Sequence, residues 1–172
     1  QLIRITASAG LDAGRDFQTK ENTLRQSYVL LSATAETMIP AIELLRGQQV
    51  EREAQLKERT TQLARQQAAH ILPIVAEPGV ISVELPEEDI EYARALAKEL
   101  TKQHRVTAMV SCLTKEGAFV VLDRFEKGPI DIGAVLKEVL LSHAGKGGGG
   151  PMHAEGRGPD VTFLSVLKQR LL

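Results

Sequence analysis

The stretch Gly145-Lys146-Gly147-Gly148-Gly149-Gly150-Pro151-Met152-His153-Ala154-Glu155-Gly156-Arg157-Gly158-Pro159-Asp160 decides how the second half of this chain is read. It holds half of the chain's 14 glycines, and the others are scattered singly. Glycine loses more backbone freedom on ordering than any other residue, so four in a row are either left flexible or placed where a backbone or ligand approaches closely. Helical patterns end just before the stretch and begin again just after it. Two readings stand: a loop that cradles a phosphate or a neighbouring backbone, and a mobile surface loop.

The motif is not a Walker loop. Lys146 precedes the glycines, and no Ser or Thr stands where magnesium needs a hydroxyl. No strand leads into it, which removes the dinucleotide fingerprint. Consecutive backbone N–H groups still form anion-binding concavities. From residue 137 to the end, Lys137, Lys146, Arg157, Lys168 and Arg170 stand against Glu138, Glu155 and Asp160. This local basic excess suits a phosphate backbone. With four Phe, two Tyr and no Trp in the chain, base stacking has little to work with. Contacts to the shape and backbone of a structured RNA fit better.

Working back from the glycines, Asp131 caps a helix whose Ile132, Val135, Leu136, Val139 and Leu140 form the clearest amphipathic pattern in the chain. Val106 to Leu113 and Ala118 to Phe125 read as two strands, turned by Lys115-Glu116-Gly117. Before them lies a helix with Glu87, Glu88 and Asp89 at its start and Lys98 and Lys102 near its end, both favourable to the helix dipole. Its buried face is Ile90, Ala93, Ala97 and Leu100. Val80 to Leu85 reads as a strand. Beyond the glycines, Asp160 caps a last helix with Phe163, Val166, Leu167 and Leu171 on its apolar face.

The first part differs in composition. Phe17, Leu24, Tyr28 and Leu31 recur at helical spacing until Ser32-Ala33-Thr34 interrupts them, with Thr34 as the next cap. Pro40 kinks or resets the following helix, and residues 41–69 are rich in good helix formers. Ile42, Leu56 and Leu63 share one seven-residue frame, but Gln49 and His70 interrupt it. So thin a stripe needs packing to hold it, most simply an antiparallel hairpin with the preceding helix. Leu56 and Leu63 are the candidate self-association residues on this arm. The expected fold is α+β. A long antiparallel helical hairpin precedes a small mixed-sheet domain, in the order β-α-β-β-α-glycine-rich loop-α. The expected divisions are 1–9, a strand left from a preceding domain; 10–72, the helical arm; and 73–172, the sheet domain with its glycine-rich loop at 145–158. Gln1 in place of Met and the lone alternation Leu2-Ile3-Arg4-Ile5-Thr6 suggest a piece of a longer protein.

Composition narrows the function. Net charge is −1, so no global basic field draws in nucleic acid and any such binding is local. The longest apolar runs fall far short of the ~20 residues of a membrane span. One cysteine, Cys112, forms no internal disulfide, and a reducing cytoplasm suits it. His70, His104, His143 and His153 contain no pair three or four apart, so no closed zinc site is written here. Each reads as a surface residue, with His143 and His153 of interest for flanking the glycines. Cys112 reads as a core filler. Ser111 and Ser142 have no recognisable base, and Asp123 and Glu126 read as a solvated strand end beside Arg124 and Lys127.

Lys146 to Gly156, with Pro159-Asp160 following, resembles the glycine-rich motif of the DHH-associated C-terminal domain. That domain closes alanyl-tRNA synthetases, free-standing alanyl-tRNA editing proteins and DHH phosphoesterases. Ile3-Arg4-Ile5 is similar to the end of the family's editing domain, and Gly14-Arg15-Asp16-Phe17 to His70 to its connecting helical hairpin. The family's His-x-x-x-His and Cys-x-x-x-His zinc pairs and the DHH triplet are absent from these residues. Where phosphoesterases carry a His after three glycines, Gly150 stands here. The resemblance implies tRNA binding at Lys146, Gly147, Gly148, Gly149, Gly150, His153 and Arg157, and homodimerisation. It implies no catalysis and no cofactor in this piece, with zinc and the deacylase activity in an editing domain outside it. The alternatives are a homodimerisation module alone, and the substrate lobe of a DHH phosphoesterase.

Overall fold

A computed structural model describes residues 10–74, 79–86, 89–102, 104–126, 128 and 130–171. The proposed strand at 1–9, and Glu87, Glu88 and Lys127, lie outside the described residues. The chain divides into two compact units, with the division at Gln55/Leu56.

In the first unit, α1 (Leu11–Leu31) carries Asp12 in its first turn and ends at Ser32, whose left-handed φ of 49° reverses the chain. The N–H groups of Ser32 and Ala33 bond the carbonyls of Val29 and Tyr28, closing that end. The α2 helix (Met38–Ile71) then begins. Thr34 does not cap it. Its hydroxyl bonds Glu36 at 2.8 Å within the connecting turn, and the Thr37 carbonyl accepts the N–H of Ala41. Pro40 is the third helical residue, where a missing N–H costs nothing because the first turn has no internal partner. The helical N-terminal part is as expected, but the packing expected along it is not. α1 buries no residue, and Phe17 and Leu24 stay 67% and 44% exposed. A facing stripe interrupted at Gln49 offers them too little apolar area to close on.

In the second unit, the end of α2 belongs with the sheet. Ala64 and Ala68 are buried in one cluster with Ala93 and Ala97 of α3 (Ile90–Thr101). The compact units therefore divide inside α2 rather than at Pro73, where the composition changes. β1 (Gly79–Leu85), β2 (Val106–Thr114), β3 (Gly117–Arg124), β4 (Lys146–Gly149) and β5 (His153–Gly158) form one sheet, ordered β1-β2-β3-β5-β4. β1 pairs parallel to β2 across the α3 crossover, and the other pairings are antiparallel. α4 (Ile132–Ser142) and α5 (Thr162–Leu171) cover the opposite face. The cap expected at Asp131 forms, accepting the N–H groups of Gly133 and Ala134 at 2.9 and 3.0 Å. Asp89, expected only as charge at the start of its helix, caps it by accepting the N–H of Tyr92 at 2.8 Å. Asp160 accepts the N–H of Thr162 at 2.8 Å.

The glycine-rich segment is the main departure. It is no loop but a hairpin, β4 and β5 joined at Gly150-Pro151-Met152, and it makes the sheet's outer edge. Strand signals rest on β-branched and aromatic side chains, which this segment lacks, so pairing, of β5 with β3 and of β4 with β5, and not propensity makes it a hairpin.

Candidate nucleic-acid interface

Side chains alternate faces along a strand, and that parity sorts the hairpin. Three rows run across the sheet on the α3 side. Lys146, Arg157 and Phe119 form the first, and Gly148, Glu155 and Val121 the second. His153 opposite Asp123, with Gly150 bonded to the His153 carbonyl at 2.8 Å, forms the third. Residues of the other parity face α4 and α5, where Ala154, Gly156 and Gly158 are buried.

The four glycines thus have two jobs. A methyl on Gly147 would lie 2.5 Å from the Gly156 Cα, 2.6 Å from the Glu155 carbonyl oxygen and 2.6 Å from a Leu140 methyl. One on Gly149 would meet the His153 carbonyl and lie 2.5 Å from the Ala154 Cα. These two let strand and helix close on one another. Gly148 and Gly150 meet nothing within 4 Å, so their absent side chains leave the α3-side surface bare. Because α3 packs over β2 and β3, β5 and β4 form a ledge beside it that no described element of this unit covers.

Charge on that ledge is mixed and ordered. Arg94, on α3, grips both oxygens of Glu155 at 2.8 Å and also reaches Glu91 at 2.6 Å. These bonds hold the Glu155 carboxyl below the usual carboxylate range and push the Arg94 guanidinium further up. Arg157 donates one bond, of 2.7 Å, to Glu116. The two guanidinium carbons lie 5.7 and 5.9 Å from the centre of the Phe119 ring, within cation–π reach. Lys146, across from Arg157, is exposed and has no ion-pair partner among the described residues.

Of the seven residues expected to contact phosphate, the fold places Lys146, Gly148, Gly150, His153 and Arg157 on this ledge and turns Gly147 and Gly149 toward α4. Sequence reasoning missed Arg94, Glu116, Glu155 and Phe119. Parity within Ala118 to Phe125 was the available signal for Phe119, and nothing local pointed to Arg94. Asp123 is not the solvated strand end expected of it. It is half-buried, and burial pushes its carboxyl up against the opposing pull of the Arg124 N–H, His153 and Lys98. Glu126 does stay exposed, 3.8 Å from Arg105.

Two other places merit comparison. Ser142, His143 and Asp160 gather at the end of α4, but the Ser142 hydroxyl donates to the Val139 carbonyl at 2.8 Å and His143 Nδ1 lies 2.9 Å from the same oxygen. Ser142 Oγ and His143 Nδ1 also lie 3.0 Å apart, but with the Val139 carbonyl accepting from both, the Nδ1 that faces the hydroxyl carries its own proton and is no base for it. A groove of about 540 Å³ between the ends of α2 and α3 is lined by Arg65, Leu72, Glu99, Lys102 and His104, with Glu99 already held by Arg65 and Lys102. Among the described residues no cluster of His, Cys, Asp or Glu suits a metal ion, and no helix is long and apolar enough to cross a membrane.

No family model matches the chain. Curated relatives do. It is 29% identical to the alanine–tRNA ligase of Thermoanaerobacter sp. (strain X514), over 91% of this chain and 19% of that enzyme. It is 28% identical to that of Methanosarcina acetivorans, over 94% of this chain and 18% of the enzyme. The chain thus spans about a fifth of the length of the curated relatives it matches. Among solved structures, the C-Ala domain of Aquifex aeolicus alanyl-tRNA synthetase covers 54% of this chain and 89% of its own, at 21% identity and a TM-score of 0.46. RecJ of Thermus thermophilus covers 85% of this chain and 22% of its own, at 18% identity and a TM-score of 0.48. The resemblance drawn from the glycine-rich motif is met as far as the alanyl-tRNA synthetases: nearly the whole of this chain is similar to a part of alanine–tRNA ligases.

Proposed function

We propose that this chain, similar over nearly its whole length to part of alanine–tRNA ligases, is a C-terminal tRNA-binding and self-associating region. Its parent is an alanyl-tRNA editing protein or a synthetase, and hydrolysis of mischarged tRNA belongs to a zinc domain outside it. The observation that carries the reading is the cross-strand pair Lys146 and Arg157 on a ledge left bare by Gly148 and Gly150. A flat surface with two exposed cations takes a sugar-phosphate backbone. It offers no pocket for an unpaired base, in keeping with recognition of structured RNA by its shape.

The test is titration of a labelled tRNA at several salt concentrations. Each phosphate contact contributes about −0.7 to −0.9 to the slope of log K against log salt. Lys146→Ala with Arg157→Ala is expected to weaken binding and flatten that slope by up to about 1.4 to 1.8. An unchanged slope in the double variant removes the ledge from tRNA binding. Zinc-dependent deacylation by the chain alone overturns the assignment of catalysis to another domain. The reading as a homodimerisation module alone draws on the exposure of Leu56 and Leu63, 64% and 57%, on α2. A chain that dimerises and leaves tRNA untouched in dilute buffer decides for it.

A further inference from the structure

Resting on the tRNA reading above, we propose that Glu116 is a built-in competitor for the phosphate at Arg157, and so sets how tightly the ledge holds a polyanion. The two arginines beside Phe119 are held by acids in different ways. Arg94 spends two donors on both oxygens of Glu155 and a third on Glu91, and so fastens α3 to β5. Arg157 gives a single donor to a carboxylate that is 77% exposed and has no other side-chain partner among the described residues. A guanidinium has five N–H donors in a fixed fork, so Arg157 keeps most of its capacity for a phosphate.

Glu116 is not a freely roaming charge. It sits in the β2–β3 turn, where its N–H bonds the Thr114 hydroxyl at 3.2 Å and the next residue, Gly117, has φ of 122°. A methyl on Gly117 would meet the Gly158 carbonyl and come within 3.0 Å of Pro159, so the turn is seated against the end of β5. The carboxylate is thereby held at the rim of the row formed by Phe119, Arg157 and Lys146. A phosphate arriving at Arg157 displaces it, and the freed carboxylate then takes up a counter-cation. That uptake offsets part of the ion release that drives binding, which both weakens the complex and flattens its salt dependence.

The experiment is a double-mutant cycle on the full chain with a labelled alanine tRNA transcript, each variant checked for folding by circular dichroism. Glu116→Gln keeps the shape and removes the charge. Exposed ion pairs of this kind imply a gain of about 1.5- to fivefold in affinity at low salt. The slope of log K against log salt should steepen by up to about 0.9. In the Arg157→Ala background the same substitution should yield no gain. A gain of equal size there shows that Glu116 acts by general charge, and it overturns this inference while leaving tRNA binding intact. No gain in either background also overturns it. If Arg157→Ala and Lys146→Ala bind tRNA like the unaltered chain, the functional reading itself falls.

Discussion

Alanine substitution along the four glycines should alternate in sign. Gly147→Ala places a methyl 2.5 Å from one backbone atom of β5 and 2.6 Å from another, and neither can give way as a side chain does. Overpacking of this kind costs ~1–3 kcal/mol, offset by ~0.4–1 kcal/mol because the unfolded chain loses freedom. The net loss of about 1–2 kcal/mol lowers Tm by about 3–6 °C in a chain of this size. Gly149→Ala should fall the same way, against the Ala154 Cα and the His153 carbonyl. Gly148→Ala and Gly150→Ala meet nothing, and neither residue has positive φ, so only the unfolded-state term remains. Their Tm should rise by about 1–3 °C. Thermal melts followed at 222 nm, with urea midpoints as a second measure, read all four. A mobile loop would give four small changes of one sign. That result, or equal losses at Gly147 and Gly148, refutes the strand and its parity.

Asp131→Ala should destabilise by about 1 kcal/mol, because the N–H groups of Gly133 and Ala134 lose their shared acceptor; a urea midpoint unchanged from the parent counts against the cap. Asp123→Asn should raise stability at pH 7. Burial lifts the folded carboxyl above its unfolded value, so folding is favoured below the unfolded pKa and that advantage is lost as pH rises through the folded one. The gain should vanish in melts near pH 3, and a gain that persists there points to packing instead of charge. Leu56→Lys with Leu63→Lys should shift the chain toward monomer in light scattering, with stability of the monomer changed by no more than about 0.5 kcal/mol per site because both are exposed. An intact dimer places the self-association surface elsewhere.

Most of the sheet domain is legible in residue order. Asp89 and Asp131 announce their helices, Val80 to Leu85 and the two runs about Lys115-Glu116-Gly117 announce β1, β2 and β3, and each apolar face expected on α3, α4 and α5 is the one packed inward. What resisted reading depends on partners distant in the chain. β4 has no propensity of its own and exists because β5 lies between it and β3. The end of α2 joins the sheet domain through Ala64 and Ala68, residues too common in helices to single out. At α1 the reverse occurred, since Phe17 and Leu24 have helical spacing but gain no cover. The ledge followed the same rule. Lys146 and Arg157 were visible as a local excess, whereas Arg94 comes from α3 and the acids that hold Arg94 and Arg157 come from the neighbouring row and from a turn 41 residues away.

The pairing of Gly148 with Glu155 and of Gly147 with Gly156 also constrains how this segment can change over time. By composition alone a fifth glycine in this run looks harmless. Here one added glycine would turn Lys146 from the bare side of the sheet onto Leu140 and α4, since a single-residue shift exchanges the two sides of a strand. The tract can therefore tolerate a change of letter at every second place far more readily than a change of length.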